Sequence, residues 1–173
     1  MVTPVARALG AASRRLAWVE LFACKVLIVL FSALLVVNVS LRYGLNSPLY
    51  FAEELAVYIL IWMAFLAISV SLHENTQIRL TLLTDVLPAR PRQGVLVLMD
   101  VLVAAMLAVI LWHAVGWIRS PSVEFELAIT LGTGKAPFFA IIPLFCATAL
   151  FHSVARLAAV AASGPAGAGG EAE

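Results

Sequence analysis

Apolar residues run without alternation through four stretches of this chain, at about residues 18–41, 50–72, 95–118 and 136–158. Each holds about 20 or more mostly apolar residues, which at about 1.5 Å per residue cross a hydrocarbon layer of roughly 30 Å. Unbroken runs of this length specify helices, because lipid offers no partner to a backbone N–H or C=O and a lone strand would leave them unpaired. The pattern predicts an all-α integral membrane protein with four transmembrane helices across 18–158, preceded by a segment over 1–17 and followed by a tail over 159–173. Pro143 falls inside the fourth span and is expected to kink it.

The polar intervals carry patterns of their own. In the second loop Ile78, Leu82, Leu83, Val86 and Leu87 recur at helical spacing, with Gln77, Thr81, Thr84 and Asp85 opposite. This predicts a short helix lying in the membrane interface, ended by Pro88, with Arg79 reaching toward the headgroups. The third loop has a period of two instead: Val123, Phe125, Leu127, Ile129 and Leu131 alternate with Glu124, Glu126, Ala128 and Thr130. An extended segment with one apolar face, closed by Gly132-Thr133-Gly134, is expected there, and that face needs cover from membrane or partner. The tail from Ser163 to Glu173 is rich in glycine and alanine and is expected to be disordered.

Composition agrees with a membrane setting. Hydrophobic residues are 63% of the 173 and charged ones 12%, with a mean hydropathy of +1.03, which excludes a water-exposed globule. The net charge of +1 gives no pull toward nucleic acid. Orientation follows from the basic residues. Arg7, Arg14, Arg15, Arg79, Arg90, Arg92 and Arg156 lie on one side of the four spans, and Arg42, Arg119 and Lys135 on the other. The positive-inside rule then places both termini in the cytoplasm. The run Leu21 to Val39 is too long for a signal-peptide core and no small-residue cleavage pattern follows it, so it reads as a retained span.

Charges inside the spans are costly unless paired or wetted, and so mark candidate sites. Lys25 and Asp100 each lie about six residues into a helix from the cytoplasmic side, at matching depth. They are either an interhelical ion pair fastening the first and third helices, or separate groups, with Lys25 reaching the headgroups and Asp100 meeting water or a partner. On the opposite side Arg42 ends the first helix and Glu53 and Glu54 open the second. Ser47 is a candidate N-cap, with Pro48 at the first helical position and the carboxylates favoured by the helix dipole. The same residues admit a second reading, in which Glu54, Tyr58, Ile61, Trp62 and Phe65 form a stripe that docks another membrane protein.

No catalytic or metal motif accompanies these groups. His73 ends a span, while His113 and His152 sit singly on apolar helices at different depths, a poor arrangement for haem. Cys24 and Cys146 lack metal-ligand spacing and read as packing residues. Gly132-Thr133-Gly134-Lys135 lacks the spacing of a phosphate-binding loop, and no nucleophile motif occurs. Neither an enzyme nor a cofactor is expected. The spans also show no cluster of polar groups able to replace a solute's hydration shell, and no inverted repeat.

The string Arg42-Tyr43-x-x-Asn46-x-Pro48-Leu49, followed by Glu53-Glu54-Leu55-Ala56 and Trp62, resembles the small membrane subunit of tripartite ATP-independent periplasmic (TRAP) transporters. The likeness is close over the first two helices and extends to Asp85-Val86-Leu87-Pro88 and Pro143. Gln77-Ile78 stands where the family often has His-Ile, and the third loop matches poorly. The resemblance implies a multi-pass protein of the bacterial inner membrane. It would pack against a large TRAP membrane subunit that moves solute on an ion gradient, fed by a periplasmic solute-binding protein. The competing reading is a self-sufficient homodimeric proton-coupled transporter using Glu53, Glu54 or Asp100. A further one is a membrane anchor for a redox complex, with His113 and His152 as ligands.

Overall fold

A computed structural model describes residues 4–73 and 89–163. The first helix, α1, runs over Pro4–Gly44, α2 over Ala52–His73 and α3 over Ala89–Ile118. After a helical turn α4 (Pro121–Glu124) come the two-residue strands β1 (Leu127–Ala128) and β2 (Thr133–Gly134). A second turn, α5 (Ala136–Phe139), leads into the last helix, α6 (Ile141–Ser163). Four helical segments are long and apolar enough to cross a membrane: Pro4–Gly44, Ala52–His73, Gly94–Ile118 and Ala136–Ala162. They correspond to the four predicted spans. The interfacial helix expected over 77–87 and the tail beyond 163 lie outside the described residues.

The ends of these elements follow from local chemistry. α1 meets no proline after Pro4, and its alanine-rich start continues the helix back through the segment preceding the first span. It stops where Asn46 takes a left-handed conformation, φ 52°, which asparagine tolerates better than other residues with a Cβ. The turn returns the Leu45 and Ser47 N–H groups to the Leu41 carbonyl. α2 then begins at Ala52, two residues into the expected span and four after Pro48, the expected first helical position. Pro48 lies in the connection and Ser47 is no N-cap, because the Leu49 N–H is taken by the Asn38 side chain and the Ala52 N–H by the Leu49 carbonyl.

The third loop also differs from expectation. Ser120 is extended, as a residue before proline tends to be, and Pro121 starts a helical turn that interrupts the period-two run. Pairing is confined to Leu127 with Gly134 and Ala128 with Thr133, an antiparallel hairpin whose turn needs Gly132 at φ 65°. Val123 and Ala128 point inward and are fully buried, whereas Phe125, Leu127 and Ile129 stand exposed. Pro143 acts upstream of itself. It has no N–H to give the Phe139 carbonyl, and the helix breaks at Ala140, between α5 and α6, in place of a mid-span kink.

α6 is the hub: α1, α2 and α3 all pack against it, and α1 also packs against α2. Small residues allow the close approach, with Ser69, Ala149 and Cys146 essentially inaccessible. Leu72, Leu107 and Ala149 form a core flanked by Val103, Phe145 and Leu150. Most of α1 and α3 is left uncovered, with Val26, Val29, Val36, Leu102, Met106 and Trp112 among the exposed side chains. That surface suits lipid or other membrane helices and not water.

Candidate functional site

Two polar constellations stand out, one at each end of the bundle. The first lies at the α1–α2 turn and unites most of the signature. Arg42 and Glu53 form an exposed ion pair, Nη2 to Oε1 2.5 Å. Glu54, one residue further into α2, turns onto the hairpin: its carboxylate accepts the Thr130 N–H at 2.9 Å, the Thr130 hydroxyl and the Tyr58 hydroxyl at 3.3 Å. The Tyr58 ring stacks on Phe138, centroids 4.2 Å apart. One turn on, the Trp62 indole N–H donates to the Phe138 carbonyl at 2.9 Å, and Phe65 packs on Phe145. Lys135 pairs with Glu126 across the hairpin base, 3.2 Å.

The stripe Glu54, Tyr58, Trp62 and Phe65 therefore meets this chain's own third loop, α5 and α6. Its spacing of three and four residues puts these groups on one face of α2, and that face is internal. Asn46 and Pro48 shape the turn. Arg42, Tyr43 and Glu53 stay exposed, Tyr43 at 82% and Tyr50 beside them equally so, as interfacial aromatics often are.

The second constellation lies at the other end, and sequence reasoning does not find it. α1 contributes Ser13 and Glu20, two turns apart on one face; α2 contributes Ser69 and His73; α6 contributes Thr148 and His152. Glu20 accepts from the Ser69 hydroxyl at 2.8 Å with Oε1 and faces His152 Nε2 at 3.2 Å with Oε2. The side chains of His152 and Glu20 are 1% and 4% exposed. His152 Nδ1 lies 2.7 Å from the Ser13 hydroxyl, which lies 2.9 Å from His73 Nδ1. The centroids of the two imidazoles lie 5.0 Å apart, and the Thr148 hydroxyl oxygen lies 3.0 Å from that of Ser69.

These contacts correct two expectations. His152 is not isolated, and polar groups do gather within the helical bundle, where they bond to one another. The available signal was Glu20, an ionisable residue inside the first span, read with the i,i+4 pairs Ser69/His73 and Thr148/His152. The Lys25–Asp100 pair is corrected as well. Asp100 bonds Arg156, 2.9 Å, because α3 lies along α6, and Lys25 is exposed on α1. Arg156 also donates to the Leu72 carbonyl at 3.0 Å, tying α2 into the same junction. His113 is exposed on α3 and meets neither cluster. Among the described residues no group of three or more His, Cys, Asp or Glu could hold a metal ion.

The family described as tripartite ATP-independent periplasmic transporters, DctQ component, matches residues 31–162. This chain belongs to the DctQ family. Its match includes the whole signature and, of the second constellation, Ser69, His73, Thr148 and His152, while Ser13 and Glu20 precede it. A Haemophilus influenzae protein named "Putative TRAP transporter small permease protein" is 40% identical over 65 residues, 38% of this chain and 40% of that protein. The "Isethionate TRAP transporter permease protein DctMQ" of Oleidesulfovibrio alaskensis is 29% identical over 83 residues, 48% of this chain and 13% of that one. The matched segments thus span less than half of either relative. DctQ is a family of transporters and not of enzymes, and with its four apolar helices this member is a multi-pass membrane protein.

Proposed function

We infer that this chain is the small permease subunit of a TRAP transporter. It packs against a large transport subunit and steadies it during ion-gradient-driven uptake of a small organic solute delivered by a periplasmic binding protein. The family match over residues 31–162 carries the reading. Two observations support it. The DctMQ relative joins both designations in one polypeptide, of which the matched segment is a small part. The uncovered apolar faces of α1 and α3 offer a surface for membrane helices. The basic residues favour an inner-membrane arrangement with both termini cytoplasmic. The α1–α2 turn then faces the periplasm, where exposed Arg42, Tyr43 and Glu53 stand ready to meet a partner, while Asn46, Pro48, Glu54, Tyr58 and Trp62 hold the turn and hairpin in shape.

Gentle purification of the tagged chain from its native membrane tests this. A much larger multispanning protein should co-purify, and Arg42→Ala with Tyr43→Ala should weaken that association without preventing membrane insertion. Recovery of the chain only as a homodimer, together with ion-coupled flux from the chain reconstituted alone, would favour the self-sufficient transporter instead.

A further inference from the structure

The hydrogen inventory of the buried constellation constrains what it can do. Ser13 has one hydroxyl hydrogen, yet two imidazole Nδ1 atoms face its oxygen, at 2.7 and 2.9 Å. It can donate to only one of them, so the other must donate to it. In one arrangement the Glu20 carboxylate accepts from His152 Nε2–H, Ser13 donates to His152 Nδ1, and His73 Nδ1–H donates to Ser13. Both imidazoles are then neutral and the buried pair carries one negative charge. In the other, His152 is an imidazolium donating to Glu20 and Ser13, Ser13 donates to His73 Nδ1, and His73 holds its hydrogen on Nε2. The buried pair is then a neutral sum of opposite charges. The Ser13–His73, Ser13–His152 and Glu20–His152 hydrogen bonds survive in both.

We propose that His73, Ser13, His152 and Glu20 form a proton-binding site with its own relay, leading from the end of α2 to the buried carboxylate. The two arrangements differ by one proton. It adds to His73 Nε2; the Nδ1 hydrogen passes to Ser13 Oγ as the Ser13 hydrogen passes to His152 Nδ1. Each hydrogen moves across one existing hydrogen bond, and no heavy atom needs to travel. His73, the last residue of α2 and half-buried, is the member nearest the polar end. In the first arrangement the buried Glu20 carboxylate has hydrogen-bond donors but no countercharge, and the added proton supplies one on His152.

Every neighbouring element leaves the site this role. From α1, Cys24 lies within electrostatic reach of Glu20, and Arg14 and Arg15 beside Ser13 are exposed. From α2, Ser69 donates to Glu20, and from α6 Thr148 bonds Ser69. Arg156, one turn beyond His152, is matched by Asp100 of α3. Among the described residues, the buried charge in contact with His152 is that of Glu20. This inference does not depend on the chain's role in a transporter.

Nitrogen-15 spectra of the histidine rings, recorded on the full chain in lipid nanodiscs across roughly pH 5–8, test it. As pH falls, His73 should switch from the Nδ1–H to the Nε2–H tautomer in step with the appearance of the His152 imidazolium. Glu20→Gln should remove the imidazolium over that range. Ser13→Ala should uncouple the tautomer of His73 from the charge of His152, and Ser13→Thr, which keeps the hydroxyl, should restore the coupling. A His152 that stays neutral throughout, or a His73 tautomer indifferent to it in the unmodified protein, would overturn the proposal. So would coupling that persists in folded Ser13→Ala, which would remove the hydroxyl from the path.

Discussion

Replacing Asp100 with asparagine removes one charge from the junction of α3, α6 and α2 while nearly keeping the side chain's volume. At 2.9 Å from Arg156, the Coulomb attraction is about 6 kcal/mol for an effective dielectric near 20, and desolvation of both ions offsets much of it. Removing one partner costs about 3–5 kcal/mol in a fully buried pair and about 0–1 kcal/mol in an exposed one. The two side chains here are 15% and 22% exposed, which puts the expected loss at about 2–3 kcal/mol, or roughly 30- to 150-fold in the folding equilibrium. Unfolding in mixed micelles with increasing SDS, followed by tryptophan fluorescence, would read it. The swap Asp100→Arg with Arg156→Asp should recover part of the loss, because the ion pair returns but the donation to the Leu72 carbonyl does not. Lys25→Met should lie close to the unmodified protein. A loss below about 0.5 kcal/mol for Asp100→Asn, or an equal loss for Lys25→Met, would refute this assignment of the bridge.

Two further outcomes follow from the polar constellations. Ser69→Ala deprives the buried Glu20 carboxylate of a donor and should cost about 1.5–3 kcal/mol in the same assay; a neutral result would show that Glu20 is better solvated than its burial indicates. Glu54→Ala should speed hydrogen exchange of the Thr130 amide and of the hairpin around it, while exchange in the middle of α6 should not change; unaltered exchange at Thr130 would deny the carboxylate its grip on the loop.

What the sequence disclosed depends on how local the cause is. The spans were legible because their length and continuity are dictated by bilayer thickness, and the four apolar helices correspond to them. Asn46 and Pro48 mark a turn, yet α2 starts beyond Pro48 because Asn38, a turn and a half before the end of α1, takes the Leu49 N–H. The alternating third loop described side-chain facing correctly only in part. Pro121 converts its beginning to a helical turn and sends Val123 inward, away from Phe125 and Ile129. Partners were harder still. Which helix Asp100 meets is decided by the packing order around α6, and equal depth with Lys25 carries no information about that. The histidine cluster shares this cause: apart from Glu20, an ionisable residue inside a span, its members are ordinary on their own helices and acquire meaning only once α1, α2 and α6 are brought together.

α1 is tied to its neighbours near both extremes. Ser13 and Glu20 engage α2 and α6 at one end, and Asn38 and Arg42 clasp the α2 connection at the other. Eighteen residues separate Glu20 from Asn38, about 27 Å along the axis, close to the depth of the oily layer. A twist of this rod about its own axis would break the fastenings at top and bottom together, so torque from a moving neighbour has no single weak joint to yield at. The uncovered flank between the two clasps is accordingly held at a fixed rotation about the helix axis.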